Sequence, residues 1–433
     1  MENNQKITLS PSAKLALKIV LLITLMLLFS FPLSMIRGLI NERQENSEAV
    51  EEEISKLHGG SQTVRGPLLV IKYREKNRDQ YAVFTPDKLN IQTEMTTEIR
   101  KRGIYRVPTY IIDNKIEGTF SYPEFDKLEI DPKTVIWGQS YICADINNTE
   151  ALARNTVINW NGDRLKMEAG SSKTGIARYS LDCILPEMKM GTEYKFSYDL
   201  ILNGGKTLMY TPLAEETDVF LDSDWLDPSF KGFCLPMSKD ENTEGRYKSE
   251  WHVIASAGKI PGSWQKNEIF INKIENTEFG LDLYTPINYY LLSERSVKYG
   301  LLFIFLPFLC FFLFEVVWKL KIHFLQYLLV GAAESIFYLL LLSLSEQIGF
   351  NISFILSAFV TVVLITYYAY YFVKSWQKTA FLSAILSISF IFLFVIIHNE
   401  DYSLLGGSIG LFIILATVMI TTRKIDWYKL GRR

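Results

Sequence analysis

Histidine and cysteine are scarce in this chain, which has four of each among its 433 residues. It contains no His-Glu-x-x-His pair and no Cys/His cluster with zinc spacing. The run Gly170 to Gly175 does not have the spacing of a phosphate-binding loop. A net charge of −2 gives no reason to expect nucleic acid as a partner. We therefore expect a protein that is not an enzyme, with no catalytic residue, no metal and no cofactor.

Long apolar runs, in contrast, are plentiful. A helix needs about 20 apolar residues to cross a hydrocarbon core of roughly 30 Å. One such run lies near the N-terminus and five lie in the C-terminal third, which predicts a multipass membrane protein. The predicted spans are Leu15–Ile36, Gly300–Trp318, Leu325–Leu344, Ile352–Val373, Ala380–Ile397 and Leu404–Thr421.

The short loops between these spans differ in charge. Lys and Arg in short loops mark the cytoplasmic side of a membrane. The loops around Glu346 and Asp401 contain neither, and the tail after the last span is basic. We expect both termini in the cytoplasm and the large polar region outside it. The basic loop residues are Lys319, Lys321, Lys374 and Lys378.

The first span is either a membrane anchor or a cleaved signal peptide. No small-x-small cleavage site follows its apolar run, which favours an uncleaved anchor. A charged helical segment continues from Arg37 to Leu57 and is expected to stop at Gly59-Gly60.

These patterns predict an α+β membrane protein in which six transmembrane helices flank a large, β-rich, sandwich-like extracytoplasmic domain. The predicted domains are a cytoplasmic N-terminus with the first span (1–36), an extracytoplasmic domain (37–299), a five-helix bundle (300–421) and a cytoplasmic basic tail (422–433). Within the extracytoplasmic domain, 37–58 is predicted to be a helical stalk and 66–284 to be β-rich.

Two segments of the β-rich region have distinct predictions. Asn203-Gly204-Gly205 is typical of a hairpin turn. Asp222 to Pro236 is rich in Pro, Gly and aromatic residues and is predicted to be a long loop. Its Trp225, Phe230 and Phe233 are the predicted contact surface of the outer domain.

Three of the four cysteines lie in the outer region. An oxidising exterior permits a disulfide between Cys143 and Cys183, which both lie in strand-like runs. The odd number of outer cysteines and the lack of framework spacing favour buried free thiols.

Two carboxylates lie within the predicted spans. Glu334 is near the middle of its span, with Gly331 and Ser335 close by in sequence. A hydrogen-bonded structural Glu is favoured over a proton-coupling or substrate-coupling one, because transporters usually gather several polar groups at the midplane. Glu315 is predicted to pair with Lys319.

The sequence resembles the CreD family of bacterial inner-membrane proteins along nearly its whole length. The most specific similarity is in the third span, and shorter motifs precede and follow it. The matching segments are Arg37 with Glu42-Arg43, Arg65-Gly66-Pro67, Pro228-Ser229-Phe230, Lys298-Tyr299, Gln326 to Gly331, Phe337 to Glu346, and Ile425 to Tyr428.

This resemblance implies a cytoplasmic-membrane protein for envelope integrity, linked to the β-lactam response and without catalytic residues to map. The expected partners are membrane lipid and an envelope component, a cell-wall component or a membrane protein bound by the outer domain. The alternative is a transporter, or an accessory of one, that uses the C-terminal bundle. An enzyme acting on lipid-linked substrates would need a polar cluster at one membrane face, which the sequence does not show.

Overall fold

The apolar runs form helices, as predicted. The computed structural model describes residues 11–241, 245–258, 260–265, 274–283, 289–399 and 403–423. Within these ranges, six helical segments are long and apolar enough to cross a membrane, one near the N-terminus and five in the C-terminal part. Besides one short helical turn at Ala255–Gly258, the α-helices of the described residues are α1 (Pro11–Leu28), α2 (Ser30–Leu57), α3 (Tyr289–Lys298), α4 (Gly300–Trp318), α5 (Phe324–Ile348), α6 (Phe350–Val373), α7 (Trp376–His398) and α8 (Ser403–Thr422).

Helices α1 and α2 follow one another with only Phe29 between them. The Leu33 amide still donates to the Phe29 carbonyl at 3.3 Å, so the apolar span continues into the charged part of α2. Helix α2 ends at Leu57. Gly59 and Gly60 follow at φ values of +99° and +73°, a backbone conformation that suits glycine and stops the helix.

The chain divides into two compact units. One contains residues 1–46 and 287–433, and the other contains residues 47–286. In the first, the aromatic ring of Tyr327 packs edge-on against Phe308 and Phe311 in the core of the helices.

The second unit contains three sheets among its described residues. Their strand orders are β1-β12-β18-β14, β17-β3-β2-β6-β10-β9 and β15-β16-β13-β4-β5-β11-β7-β8. The strands are β1 (Gln62–Arg65), β2 (Pro67–Glu75), β3 (Arg78–Phe84), β4 (Lys88–Arg102), β5 (Tyr105–Phe120), β6 (Tyr141–Ile146), β7 (Val157–Trp160), β8 (Asp163–Lys166), β9 (Glu168–Ser171), β10 (Tyr179–Ile184), β11 (Tyr194–Gly205), β12 (Thr207–Thr211), β13 (Glu216–Ser223), β14 (Pro228–Gly232), β15 (Ser238–Glu241), β16 (Tyr247–Ile254), β17 (Ser263–Gln265) and β18 (Phe279–Leu283). The chain is therefore an α+β membrane protein with a β-rich domain between its first and second spans.

One hydrophobic core is shared by residues from all three sheets, such as Ile71, Ile116 and Phe279. The six-stranded sheet buries its other face as well. There, Leu68, Val70 and Cys143 form a second cluster with Trp264.

Asn203-Gly204-Gly205 is not the predicted hairpin turn. These residues are the end of β11, which pairs with β5, while β12 pairs with β1 and β18. The glycines serve close packing instead. A Cβ on Gly204 would lie 2.3 Å from the Tyr110 ring, and one on Gly205 would lie 2.7 Å from Ser55 Oγ. The chain turns one residue later, at Lys206, where φ is +69°.

Candidate functional site

The segment from Asp222 to Pro236 is partly strand, so the prediction of one long loop is wrong. Its first two residues end β13, and β14 pairs with β18. Gly232, the last residue of β14, has φ +97°. A Cβ there would lie 2.1 Å from the Glu278 carbonyl oxygen, so the close approach of β14 to this carbonyl requires glycine. A glycine that reads as a loop residue in the sequence thus serves a close approach between chain segments.

Two of the three aromatic residues predicted as a contact surface pack against the core instead. The Phe230 ring centroid lies 5.7 Å from that of Trp251 and 5.9 Å from that of Tyr247. Trp225 is half-buried and donates its indole N–H to the Asp227 carbonyl at 3.1 Å. Phe233 is the exposed member of the three, with 41% of its surface accessible.

Three aliphatic residues near Phe233 are exposed as well. Leu226 is 50% exposed, Leu235 is 71% exposed and Met237 is 77% exposed. We call these four side chains the 226–237 apolar segment. Its backbone is held in place, because the Phe233 amide donates to Glu278 and the Met237 amide donates to Glu250.

The sequence contains a signal for this surface that is not confined to aromatic residues. Phe233, Leu235 and Met237 alternate with other residues, and a period of two places side chains on one face of an extended chain. Apolar side chains grouped on a surface commonly mark a contact with another molecule.

A shallow polar cavity of about 620 Å³ lies on the outer face of the eight-stranded sheet. Asn90, Glu117, Asn159, Lys195 and Asp218 are among the residues that line it. Amides and charges of both signs alternate there, so the cavity favours no single sign of ligand charge.

The run Gly170 to Gly175 covers a buried carboxylate rather than forming a phosphate loop. Thr174 donates its hydroxyl to Asp145 on β6 at 2.5 Å, and the Trp264 indole N–H donates to the Thr174 carbonyl at 3.0 Å. Burial raises the pKa of Asp145, although the Thr174 hydrogen bond and the charge of Arg65 oppose this shift. The pKa of Asp182, on β10, is also raised by burial.

Cys143 and Cys183 are both free, and the alternative of a disulfide between them is wrong. They lie on neighbouring strands, where Cys143 pairs with Asp182 and Cys183 pairs with Ile142. This offset of one residue directs the two side chains to opposite faces of the sheet. Cys143 belongs to the second cluster, with Trp264, and Cys183 belongs to the core shared by the three sheets.

The acidic residues at the end of β13 have partners within the protein. Arg246 donates to Asp222 at 2.5 Å, and the Thr97 amide donates to Asp224 at 2.9 Å. Among the described residues, no three His, Cys, Asp or Glu side chains group as metal ligands would.

Glu315 pairs with Lys18 of the first span and not with Lys319, so that prediction is wrong. The Ile322 amide donates to the Glu315 carboxylate at 2.7 Å, and the Tyr327 hydroxyl donates to it at 3.3 Å. Lys18 also donates to the Ile322 carbonyl at 3.1 Å. One ion pair therefore ties α1, the end of α4 and the start of α5 together. The sequence could not show this, because Lys18 and Glu315 are 297 residues apart.

Glu334 is buried within the helical unit, with 3% of its surface exposed. None of the described residues offers its Oε2 a hydrogen-bond partner, and the hydroxyl of Tyr338, one turn further along α5, is also without one. A small residue before Glu334 permits close packing of two helices. A Cβ on Gly331 would lie 2.4 Å from the Phe29 ring of the first span.

Known proteins fall into two groups that differ greatly in their similarity to this chain. The family model described as inner membrane protein CreD matches residues 14–428. Inner membrane protein CreD of Escherichia coli (strain K12) is 28% identical, over 93% of this chain and 91% of its own length.

The solved structures are much less similar. An M1 zinc metallopeptidase from Deinococcus radiodurans has 10% identity and a TM-score of 0.20, over 39% of this chain and 38% of its own. A two-domain M1 zinc metallopeptidase mutant bound to L-tryptophan has 11% identity and a TM-score of 0.18, over 39% of this chain and 40% of its own. Scores this low support no inference about fold or activity.

The family match covers nearly the whole chain and agrees with the six apolar helices and the β-rich domain of the structure. This chain is a multipass inner-membrane protein and belongs to the CreD family.

Proposed function

We propose that this protein supports the integrity of the cell envelope by binding, without catalysis, and that it acts in the response to envelope stress or β-lactams. The outer β-rich domain binds an envelope component, and the helices hold that domain at the membrane. The resemblance to the CreD family supports the role in the envelope. The 226–237 apolar segment supports the binding mechanism and is the observation on which it rests.

The chemistry of this segment favours a protein partner over a free sugar chain. Leu226, Phe233, Leu235 and Met237 expose apolar surface, and backbone hydrogen bonds hold the chain at Phe233 and Met237. Removing apolar surface from water contributes about 25 cal/mol per Å². Side chains on a backbone that is already ordered also lose less entropy on binding than side chains on a disordered loop do.

The charge pattern of the loops supports a location of this domain outside the cytoplasm. Lysines follow the second and fourth spans, and the two short loops on the other side of the membrane, around Glu346 and Asp401, contain no Lys or Arg. We infer that both termini are cytoplasmic and that the β-rich domain lies in the periplasm.

The test is complementation of a deletion strain under envelope stress by a triple variant, Phe233→Ser, Leu235→Ser and Met237→Ser. These side chains are exposed, so we expect normal protein levels and an inserted helical unit. Protection against the stress should fall to that of the deletion strain, because buried apolar anchors commonly dominate recognition energy.

A matched control changes exposed apolar residues elsewhere in the same domain. Ile184 is 63% exposed and Met190 is 85% exposed, and both lie outside the 226–237 apolar segment. The variant Ile184→Ser with Met190→Ser should protect as well as the wild type. Full protection by the triple variant at normal protein level would defeat the proposed mechanism.

One observation favours transport, or assistance to a transporter, as the second candidate function. A buried carboxylate oxygen with no partner is costly inside a membrane and commonly marks a path for protons or substrate. Glu334 Oε2 is such an oxygen among the described residues.

A further inference from the structure

An apolar groove of about 480 Å³ runs along the helical unit between α4, α7 and α8. Leu306 and Gly410 line one end, and Trp318, Phe381 and Thr421 line the other. Helix α8 approaches α7 at Gly410, where an added Cβ would lie 2.5 Å from the Phe392 ring. Away from this contact, side chains of α7 and α8 remain exposed, as Ile388 at 65% and Ile413 at 58% illustrate.

The length of the groove matches one leaflet of a bilayer. The stretch of α4 from Leu306 to Trp318 measures about 18 Å at 1.5 Å per residue. The hydrocarbon core of a bilayer is roughly 30 Å thick, so one leaflet contributes about 15 Å. A single acyl chain that enters at the Trp318 end would therefore lie along the groove.

The Trp318 end of the groove carries positive charge. The Lys378 ammonium lies 4.9 Å from the centre of the Trp318 ring, and no carboxylate among the described residues forms an ion pair with it. Glu315, on the same helix as Trp318, is already paired with Lys18. Lys319 directly follows α4, and Arg423 directly follows α8. Tryptophan is common at the depth of the lipid headgroups.

We propose that this groove is a binding site for an anionic glycerophospholipid. One acyl chain lies between α4 and α8, the Trp318 ring lies at the level of the glycerol, and the phosphate is beside Lys378. The positive charge of Lys378 selects an anionic lipid over a zwitterionic one. A groove that is apolar along its length and basic at one end matches a phospholipid better than a second copy of this chain.

The test uses the full chain, purified in mild detergent and mixed with equal amounts of phosphatidylglycerol and phosphatidylethanolamine. Native mass spectrometry then counts the lipids bound to each variant. The wild type should retain phosphatidylglycerol preferentially. Lys378→Gln should reduce that adduct by about fivefold, since one Lys near an anionic membrane surface contributes roughly 1 kcal/mol.

Two further variants make the result specific. Lys374→Gln removes a lysine at the same end of the helices. It follows α6, a helix that contributes no residue to the groove, so this variant should leave the phosphatidylglycerol adduct unchanged. Ile413→Trp places a large ring in the groove at an exposed position, so both lipid adducts should fall while the protein remains folded.

Three outcomes would overturn the proposal. Equal retention of the two lipids by the wild type would show that the groove does not select an anionic lipid. An equal loss of the phosphatidylglycerol adduct in Lys374→Gln and Lys378→Gln would show general attraction to positive charge rather than binding at one site. A dimer mass that disappears in Ile413→Trp, with no lipid adduct in the wild type, would assign the groove to a second copy of the chain.

Discussion

At the scale of single residues, the two carboxylates of the helical unit have opposite surroundings. Glu315 accepts hydrogen bonds from an amide and a hydroxyl and pairs with Lys18. Glu334 is more deeply buried, and its Oε2 has no partner among the described residues. Glu315 therefore has a clear structural role, and Glu334 is the residue to test for transport.

The variant Glu334→Gln separates the two candidate functions. An amide has nearly the shape of a protonated carboxyl group and does not titrate. If Glu334 only fills space between helices, the variant should keep its protein level and its protection in the complementation assay. Glu315→Gln is the comparison, because it removes one partner of an ion pair and should lower the thermal stability of the purified protein. Complete loss of protection in Glu334→Gln at normal protein level would favour proton coupling and the transport candidate.

At the scale of secondary-structure elements, the sequence predicts the membrane helices far better than the sheets. Length and hydropathy suffice for a span, because every backbone hydrogen bond of a helix is local. A sheet depends on distant partners. The alternation around Cys143 and Cys183 predicts two strands, but only their register shows that the side chains point to opposite faces. The same reason explains Gly204 and Gly232, for which the sequence predicts a turn and a loop. Each instead permits a close approach to a residue that is distant in sequence, Tyr110 and Glu278 respectively.

The loop that covers Asp145 should make the stability of the outer domain depend on pH. Burial raises the pKa of Asp145, so the folded state binds a proton more tightly than the unfolded state does. This contribution to stability is present at low pH and is lost as pH rises through the folded pKa. Asn cannot titrate but can still accept the Thr174 hydrogen bond. The melting temperature of Asp145→Asn minus that of the wild type should therefore be more positive at about pH 7 than at about pH 4, by a few degrees.

Differential scanning fluorimetry of the purified full chain at both pH values measures this difference. Asp163→Asn, in the exposed hairpin between β7 and β8, controls for the loss of one negative charge. A difference for Asp145→Asn that becomes more negative as pH rises would show that the ionised carboxylate stabilises the folded loop, contrary to this prediction.

At the scale of the whole molecule, the sequence predicts the order of the parts and leaves their contacts open. The arrangement of one span, a β-rich domain and five spans follows from the positions of the apolar runs, and the family match covers the same length. Only part of the predicted contact surface is exposed. Phe233 is exposed as expected, but Trp225 and Phe230 pack inward, because their neighbours in the fold are Ser223, Asp227, Tyr247 and Trp251. Exposure is a property of the assembled sheets, so a composition rich in aromatic residues could not predict it.

The orientation of the whole protein in the membrane can be tested at two matched glutamines. Gln347 lies near the end of α5 and Gln377 near the start of α7, so α6 separates them, and both are exposed. In a background without the four native cysteines, Gln347→Cys should react with a membrane-impermeant maleimide in intact cells. Gln377→Cys should react only after the membrane is permeabilised, because its loop carries Lys374 and Lys378 and is expected in the cytoplasm. Labelling of Gln377→Cys but not Gln347→Cys in intact cells would reverse the orientation. The β-rich domain, and with it the proposed envelope partner, would then have to be cytoplasmic.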